Sequence, residues 1–290
     1  YEKESAYSYI EILNDNGYAI LKINEGQAIQ SIYHPEIKNY YGPWEQILSA
    51  PFFNPPPVAP ADIRKAAILG LAGGTSASQL LQAFPEVEID GYELDPEIIR
   101  AAEQYMDLRG DQVNIHLTDG RLGLAQSTHA YDIIMVDAYQ PPYVSPNMCT
   151  VSFFEMAGAK LSKQGVLVMN IGRTENNRQL IEAIVSTAGQ VFPSLQVVDL
   201  PNAYNSIIFA SFNPISPDNL RENYDLLSAK SDVPSLLLET LSYTIGNLRS
   251  EPEEPGLIFS DDFVPVDKFT NAILLDSFLG ITNRIQKEDE

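Results

Sequence analysis

Short stretches of alternating apolar and polar residues open the chain: YSYIEIL, YAILKIN and QAIQSIY, between residues 5 and 33. NDNG at Asn14–Gly17 and NEG at Asn24–Gly26 separate them. Alternation broken by Asn/Gly turns predicts a small antiparallel β unit. A short helix is expected over 40–50, after which PFFNPPPVAP (Pro51–Pro60) blocks regular structure and reads as a linker. Beyond it the pattern changes. Apolar runs bounded by turn residues predict strands at 66–71, 87–92, 113–117, 132–137 and 165–171. Helical patterns fall at 76–84, 96–105, 150–161 and 174–190. Strands alternating with helices build βαβ units and a parallel sheet. Residues 195–200 and 205–212 read as a closing antiparallel pair joined through PNAYN, and the chain from Pro217 reads as largely helical, interrupted by EPEEP and FSDDFVP. The expected fold is α/β, a Rossmann-like, mostly parallel sheet with helices on both faces, preceded by a small N-terminal antiparallel β unit. It divides into a β-hairpin domain over 1–50, a Pro-rich linker over 51–61 and a Rossmann-like domain with a helical C-terminal region over 62–290.

Composition narrows the class. Over 290 residues the chain is 44% hydrophobic and 20% charged, an ordinary globular balance. Its longest apolar runs, near Ala66 and Val166, have the length of buried strands and not of membrane spans. A formal charge of -21 argues against a nucleic-acid partner, which needs a basic face, and suits a cationic small-molecule substrate. Part of that charge lies in EPEEP and the terminal KEDE, which read as solvated. The single cysteine, Cys149, sits in NMCTVSFF, excludes an internal disulfide framework and fits a reducing cytoplasm. His34, His116 and His129 are scattered, with neither HExxH nor Cys partners, so no metal site is expected.

The candidate chemistry follows the first long strand. Gly70-Leu71-Ala72-Gly73-Gly74 stands between an apolar strand and a helix, where glycines let a backbone bend tightly and approach a ligand. No phosphate-gripping lysine follows, so the turn is not a P-loop. Glu93 ends the second strand about twenty residues later, where an acidic side chain meets ribose hydroxyls in such folds. Asp119-Gly120 ends the third strand and offers a carboxylate to an adenine amino group; YDIIMVD ends the next at Asp137. Asp95, just before Pro96, fits an N-cap. Taken together, these elements point to an adenosine-type cofactor at the carboxyl ends of a parallel sheet.

LGLAGG, Glu93-Leu94-Asp95, Asp119-Gly120, YDIIMVD, SFFE at Ser152–Glu155 and LSKQGVLVMN at Leu161–Asn170 resemble the spermidine synthase family of aminopropyltransferases. That family shares the fold of class I S-adenosylmethionine-dependent methyltransferases, and the likeness runs from about Ser5 to Ser211. It implies that S-adenosylmethionine or its decarboxylated form is the donor substrate and that no metal is needed. Gly70, Gly73, Gly74, Glu93, Asp119, Gly120 and Asp137 would form the cofactor site, with Tyr139 and Tyr143 lining a substrate channel. In the family, a D-x-x-D loop supplies a base in its last Asp, while its first Asp holds the reacting ends. Here the loop is Asp137-Ala138-Tyr139-Gln140. Gln140 takes the place of the base, and an amide can orient an amine without accepting its proton. An alkylamine with a pKa of about 10.4 is mostly protonated at neutral pH, so a base matters. Asp137 acting directly or through water, Asp261 or Asp262 in FSDDFVPVD, and Glu45 are the alternatives. The family's acidic gating motif is poorly matched by YYGPWEQ near residue 40.

Three functional readings remain open on sequence. The first is a spermidine synthase-like transferase, moving an aminopropyl group to a polyamine and using Asp137 and Gln140. The second is a methyltransferase acting on another acceptor. The third is a non-catalytic adenosine-ligand domain, possible because FSDDFVPVD resembles family members fused to membrane segments; localisation would then be that of the soluble part of a membrane-attached protein. An N-terminal β unit with an open face also allows a homodimer.

Overall fold

The computed structural model describes residues 1–24, 29–140, 143–175, 177–201 and 203–275, and only the backbone of Gln140. Gly26 of the NEG turn, Pro141-Pro142, Asn202 of PNAYN and the terminal KEDE lie outside the described residues. Four antiparallel strands open the chain: β1 (Glu2–Glu4), β2 (Tyr9–Asp15), β3 (Tyr18–Ile23) and β4 (Ile29–Tyr33). Asn16 and Gly17 take positive φ between β2 and β3, as a tight Asn-Gly hairpin requires. Alternation then places Ile10, Ile12, Ala19, Leu21 and Ile23 on one buried face, against Ile98, Ala101 and Met106.

The main sheet is built from β5 (Lys65–Leu69), β6 (Glu88–Glu93), β7 (Asn114–Leu117), β8 (Tyr131–Val136), β11 (Leu161–Gly172), β12 (Ser194–Leu200) and β13 (Asn205–Ser211). Two short strands, β9 (Tyr139–Gln140) and β10 (Tyr143–Val144), pair separately after β8. The order across the sheet is β12-β13-β11-β8-β5-β6-β7, with β11, β8, β5, β6 and β7 parallel and β13 antiparallel to both its neighbours. The α/β expectation, the N-terminal antiparallel unit and the closing antiparallel pair are all present. Helices α1 (Thr75–Ala83), α2 (Pro96–Tyr105), α3 (Gly120–Gln126), α4 (Val151–Gly158) and α5 (Gln179–Ala188) connect the strands, and α6 (Pro217–Ser228) and α7 (Ser235–Gly246) follow. Successive residues of β5 feed opposite cores. Ala66 and Ile68 join the one containing Leu80, Phe52, Phe53 and Leu241, and Ala67 and Leu69 join the one containing Phe153, Phe154 and Ile181.

Four local readings change. The helix expected over 40–50 is a 3-10 helix over Trp44–Phe53, and Pro51, Phe52 and Phe53, read as the start of a linker, are buried within it. Aromatic burial outweighs the helix-breaking character of proline here, and Phe53 packs on Phe209 with ring centroids 4.6 Å apart. Helix α3 was hidden because Asp119-Gly120 reads as a turn; the Asp119 carboxylate instead caps it, accepting from Leu122 N at 2.9 Å. EPEEP is not wholly solvated. Glu253 is buried and clamped by Arg178 and Arg249, while Arg178 also reaches Asp199 at 2.9 Å. Finally, two of the three histidines converge. His116 and His129 lie 3.3 and 3.0 Å from the Asp90 carboxylate, which also accepts from Tyr131 Oη at 2.8 Å and Asn114 Nδ2 at 3.1 Å.

Burial alone would raise the Asp90 pKa, but the hydrogen bonds from Tyr131, His116, His129 and Asn114 together bring it down to about 2. A carboxyl with a folded pKa below its ordinary value stabilises the protein above that ordinary value. The contribution is lost as pH falls toward 2. Asp90→Asn is therefore expected to lower stability by about 2–4 kcal/mol at pH 7, because it removes the charge and replaces one of the cluster's two acceptor oxygens by a donor. Urea unfolding of both proteins checks this: the gap should close between pH 4 and about 2, and a gap unchanged across that window would rule the account out.

Candidate active site

The carboxyl ends of β5 and β8 approach each other at the centre of the sheet, and the chain diverges from there to either side. In open α/β sheets such a crevice is where ligands bind. Gly70 makes the approach possible. Its φ is +93°, and a Cβ there would stand 2.4 Å from the Asp137 carbonyl oxygen. Gly70 N and Leu71 N both donate to Tyr92 O, and Asp137 N donates to Leu69 O, so the ends of three strands are tied together.

A cavity of about 210 Å³ opens over these strand ends. Gly70, Glu93, Asp119, Gly120, Asp137 and Tyr139 line it, so most of the expected cofactor residues meet in one place. Gly73 and Gly74 do not line it. Their lack of a side chain admits close packing, since a Cβ on Gly73 would meet Met106 Sδ at 2.6 Å and one on Gly74 would meet Leu108 at 2.7 Å. Gly73 N donates to Ser31 Oγ at 2.9 Å, and Thr75 Oγ1 both accepts from Ile32 N and donates to Ile32 O. The N-terminal sheet is thus fastened to the glycine turn. Tyr7, Ser8 and Gln30 extend the cavity wall from that side.

Glu93 acts inside this wall as well as on it. Its Oε2 accepts from Ala72 N at 3.0 Å, and its Oε1 accepts from Leu94 N and Asp95 N. These bonds hold Ala72 at a φ of +48°, in a region that residues with a Cβ rarely adopt. Burial raises the Glu93 pKa, against the lowering effect of the backbone donors. Asp95 caps α2, accepting from Glu97 N at 2.9 Å. The lining includes four carboxylates, from Glu93, Asp95, Asp119 and Asp137, and no Lys, Arg or His among the described residues.

A second cavity, of about 480 Å³, adjoins the first and shares Gln30, Gly70, Ala72, Asp137 and Tyr139 with it. Asp137 therefore faces both. Its carboxylate accepts from Asn170 Nδ2 at 2.9 Å, and Asn170 Oδ1 accepts from Asn205 Nδ2 at 2.7 Å. Burial pushes the Asp137 carboxyl up to about 6, partly offset by the Asn170 bond. Tyr139 is locked beside it: its hydroxyl donates to Asn170 O and accepts from Gly172 N. Desolvation raises the Tyr139 pKa, so this phenol stays neutral.

Other expected residues lie elsewhere. Tyr143 lines neither cavity and donates to Asn271 Oδ1 at 2.9 Å. The side chain of Gln140 lies outside the described residues. Asp261 is a latch and not an alternative base. It accepts from Ser152, Arg121 and Thr150, which together lower its carboxyl to about 2, and it fastens the segment after Phe259 to the start of α4. Asp262 is exposed, and Glu45 is spent on the backbone at Tyr40 and Gly42. Asn170 and Asn205 went unnoticed in the sequence. The available signal was an amide closing an otherwise apolar strand, VLVMN.

A family model described as the spermine/spermidine synthase domain matches residues 54–219. The chain is 31% identical over 284 residues to the "Probable polyamine aminopropyl transferase" of Bifidobacterium longum (strain NCC 2705), covering 92% of this chain and 61% of that protein. It thus spans less than two thirds of that relative's length. It is 24% identical over 277 residues to the polyamine aminopropyltransferase of Vibrio vulnificus (strain CMCP6), covering 92% of this chain and 90% of that one. The fold matches that of a probable spermidine synthase from Corynebacterium glutamicum ATCC 13032 with a TM-score of 0.66 at 19% identity, over 87% of this chain and 96% of that one. With more than half its length under the family model, the chain belongs to the spermine/spermidine synthase family.

Proposed function

We propose that this protein transfers an aminopropyl group from decarboxylated S-adenosylmethionine to an amine, with Asp137 as the base. The observation that carries the reading is the place of Asp137, on the wall common to two cavities and held by Asn170. One cavity takes the adenosine end of the donor. Glu93 would engage the ribose and Asp119 the adenine, and Gly70 and Gly120 would supply close backbone. The acceptor enters the other cavity. Gln140, three residues after Asp137 in the loop, would be left the task of orienting the amine by hydrogen bonding.

The raised pKa of Asp137 suits the task. An ordinary Asp is about 6–7 units below an alkylammonium, whereas a carboxyl near 6 is only about four below it. The difference of about two units lowers the cost of moving the proton by about 2–3 kcal/mol. At neutral pH such a group is still mostly ionised, so it can accept the proton. Charge also favours the decarboxylated donor. It carries two positive charges, a sulfonium and an ammonium, into a cavity lined by four carboxylates. The extra carboxylate of S-adenosylmethionine would find no cationic side chain among the described lining residues.

Asp137→Asn is expected to reduce turnover by about 10²–10⁴-fold while leaving methylthioadenosine affinity within a few-fold. The activity of the unmodified protein should rise with pH through about 6, as Asp137 loses its proton. Asn170→Leu should move that acidic limb to higher pH, because the Asn170 bond favours the charged carboxylate. A limb unmoved in Asn170→Leu, with activity merely scaled down, would leave Asn170 a packing role only. In calorimetry, decarboxylated S-adenosylmethionine should bind at least about tenfold more tightly than S-adenosylmethionine, a difference of about 1.4 kcal/mol. Equal binding of the two, or S-adenosylhomocysteine as the product, would favour methyl transfer instead.

A further inference from the structure

We infer that Asn205 serves this site twice: its side-chain carbonyl receives the non-reacting ammonium of a diamine acceptor, and its amide N–H holds Asn170 turned toward Asp137. The inference rests on the aminopropyl-transfer reading above and names a residue that both selects the acceptor and positions the base.

Three strands supply the parts. Asp137 follows β8, Asn170 lies in β11 and Asn205 begins β13. All three line the acceptor cavity. An ionised carboxylate can only accept, so Asn170 must present its Nδ2 to Asp137, which it does at 2.9 Å. That turns Asn170 Oδ1 away from Asp137, and Asn205 Nδ2 donates to it at 2.7 Å. The charge at one end therefore sets the direction of both amides. Asn170 is buried, so its carbonyl depends on Asn205 for a donor. Its backbone is fixed independently, by the β11–β13 pairing and by the Tyr139 hydroxyl on Asn170 O.

Asn205 itself is only half-buried. Its Oδ1 has no hydrogen-bond partner among the described residues and is not sealed away from water. A carbonyl oxygen in the wall of this cavity is a place for an N–H donor. Standing two amides away from Asp137, it suits the far ammonium of a diamine whose near end is at Asp137. Such a bond is charge-assisted and strong for a neutral acceptor. It also runs in the same direction as the rest of the chain, from ammonium to Asn205, to Asn170, to Asp137. Hydrogen bonds aligned in this way polarise and strengthen one another. Binding of the far ammonium thus reinforces the bond that keeps Asp137 charged and ready for a proton.

The titratable groups around Asp137 leave this assignment separable. Tyr139 stands beside it with Cys149 behind; Tyr7, Tyr92, Glu93, Asp95 and Asp119 face it across the first cavity, and Tyr40 and Tyr41 across the second. Burial raises Tyr40, Tyr92, Tyr139 and Cys149, which stay neutral through the acidic range. Burial raises Glu93 also, but its oxygens bond to backbone N–H groups and not to either amide.

The test compares 1,4-diaminobutane with butylamine, using decarboxylated S-adenosylmethionine for turnover and calorimetry with methylthioadenosine present for binding. Asn205→Leu removes both functions. It should lower the diamine-to-monoamine ratio of kcat/KM at least about tenfold and move the acidic limb up by about half a pH unit. Asn205→Asp is nearly isosteric and keeps an oxygen for the ammonium while losing the donor to Asn170. It should retain the ratio and still raise the limb, and it decides the matter if Asn205→Leu melts early. Added to Asn170→Leu, Asn205→Leu should shift the limb no further. A ratio unchanged in Asn205→Leu, a limb unmoved in both variants, or additive shifts in the double variant each overturn the inference. If the parent turns over no amine, the transfer reading fails by itself. The ratio of the two amines in calorimetry then decides the Asn205 contact: its fall in Asn205→Leu supports the contact, and no preference for the diamine in the parent overturns it.

Discussion

The whole site depends on two backbones passing closer than any side chain allows. At Gly70 the end of β5 lies against the carbonyl of Asp137 at the end of β8, with no room for a methyl group between them. That contact brings a glycine turn within reach of a carboxylate whose own backbone N–H is fixed by Leu69 O. From it follow the crevice and the position of Asp137 on a wall common to two chambers. The conformational freedom of glycine also costs stability in a strand. The loss is offset by burial of the flanking residues, Ile68, Leu69, Met135 and Val136, all almost fully removed from water.

Much of this was legible in the sequence because strong local signals agreed with the fold. Apolar runs ending in Gly70, Glu93 and Asp137 marked strand ends, and Asn16-Gly17 marked the hairpin. Legibility failed where one residue served two purposes. Asp119-Gly120 looks like a turn yet starts a helix, and its carboxylate both caps that helix and lines the first cavity. In the sequence Glu93 stands only as a ligand contact, but its oxygens are also spent on three backbone N–H groups. Long-range partners left no trace at all. Nothing near Asn170 in the chain names Asn205, and nothing near Asp90 names His129; the sheet alone joins them.

Acidic residues dominate this protein, but they do unlike work according to what surrounds them. Asp90 and Asp261 are surrounded by donors, hold their charge to about pH 2, and act as fasteners. Asp137 has a single side-chain donor in a buried setting, and burial pushes its carboxyl up to about 6. One side-chain type is thereby divided between fasteners that keep their charge and a carboxyl with a raised pKa by the number of hydrogen bonds it receives. The overall charge of -21 conveys none of this.

The bond from Gly73 N–H to Ser31, with Thr75 clasping Ile32, joins the first sheet to the glycine turn beside the first cavity. The sheet therefore cannot be regarded as a detachable ornament. Trimming the chain before the Pro-rich segment would leave the Rossmann-like portion with a glycine turn lacking its outer brace and a chamber missing one side. Fragments meant to carry the first cavity should retain the hairpin, and a protease that nicks the first sheet would disturb that cavity although it cuts far from Asp137 in the chain.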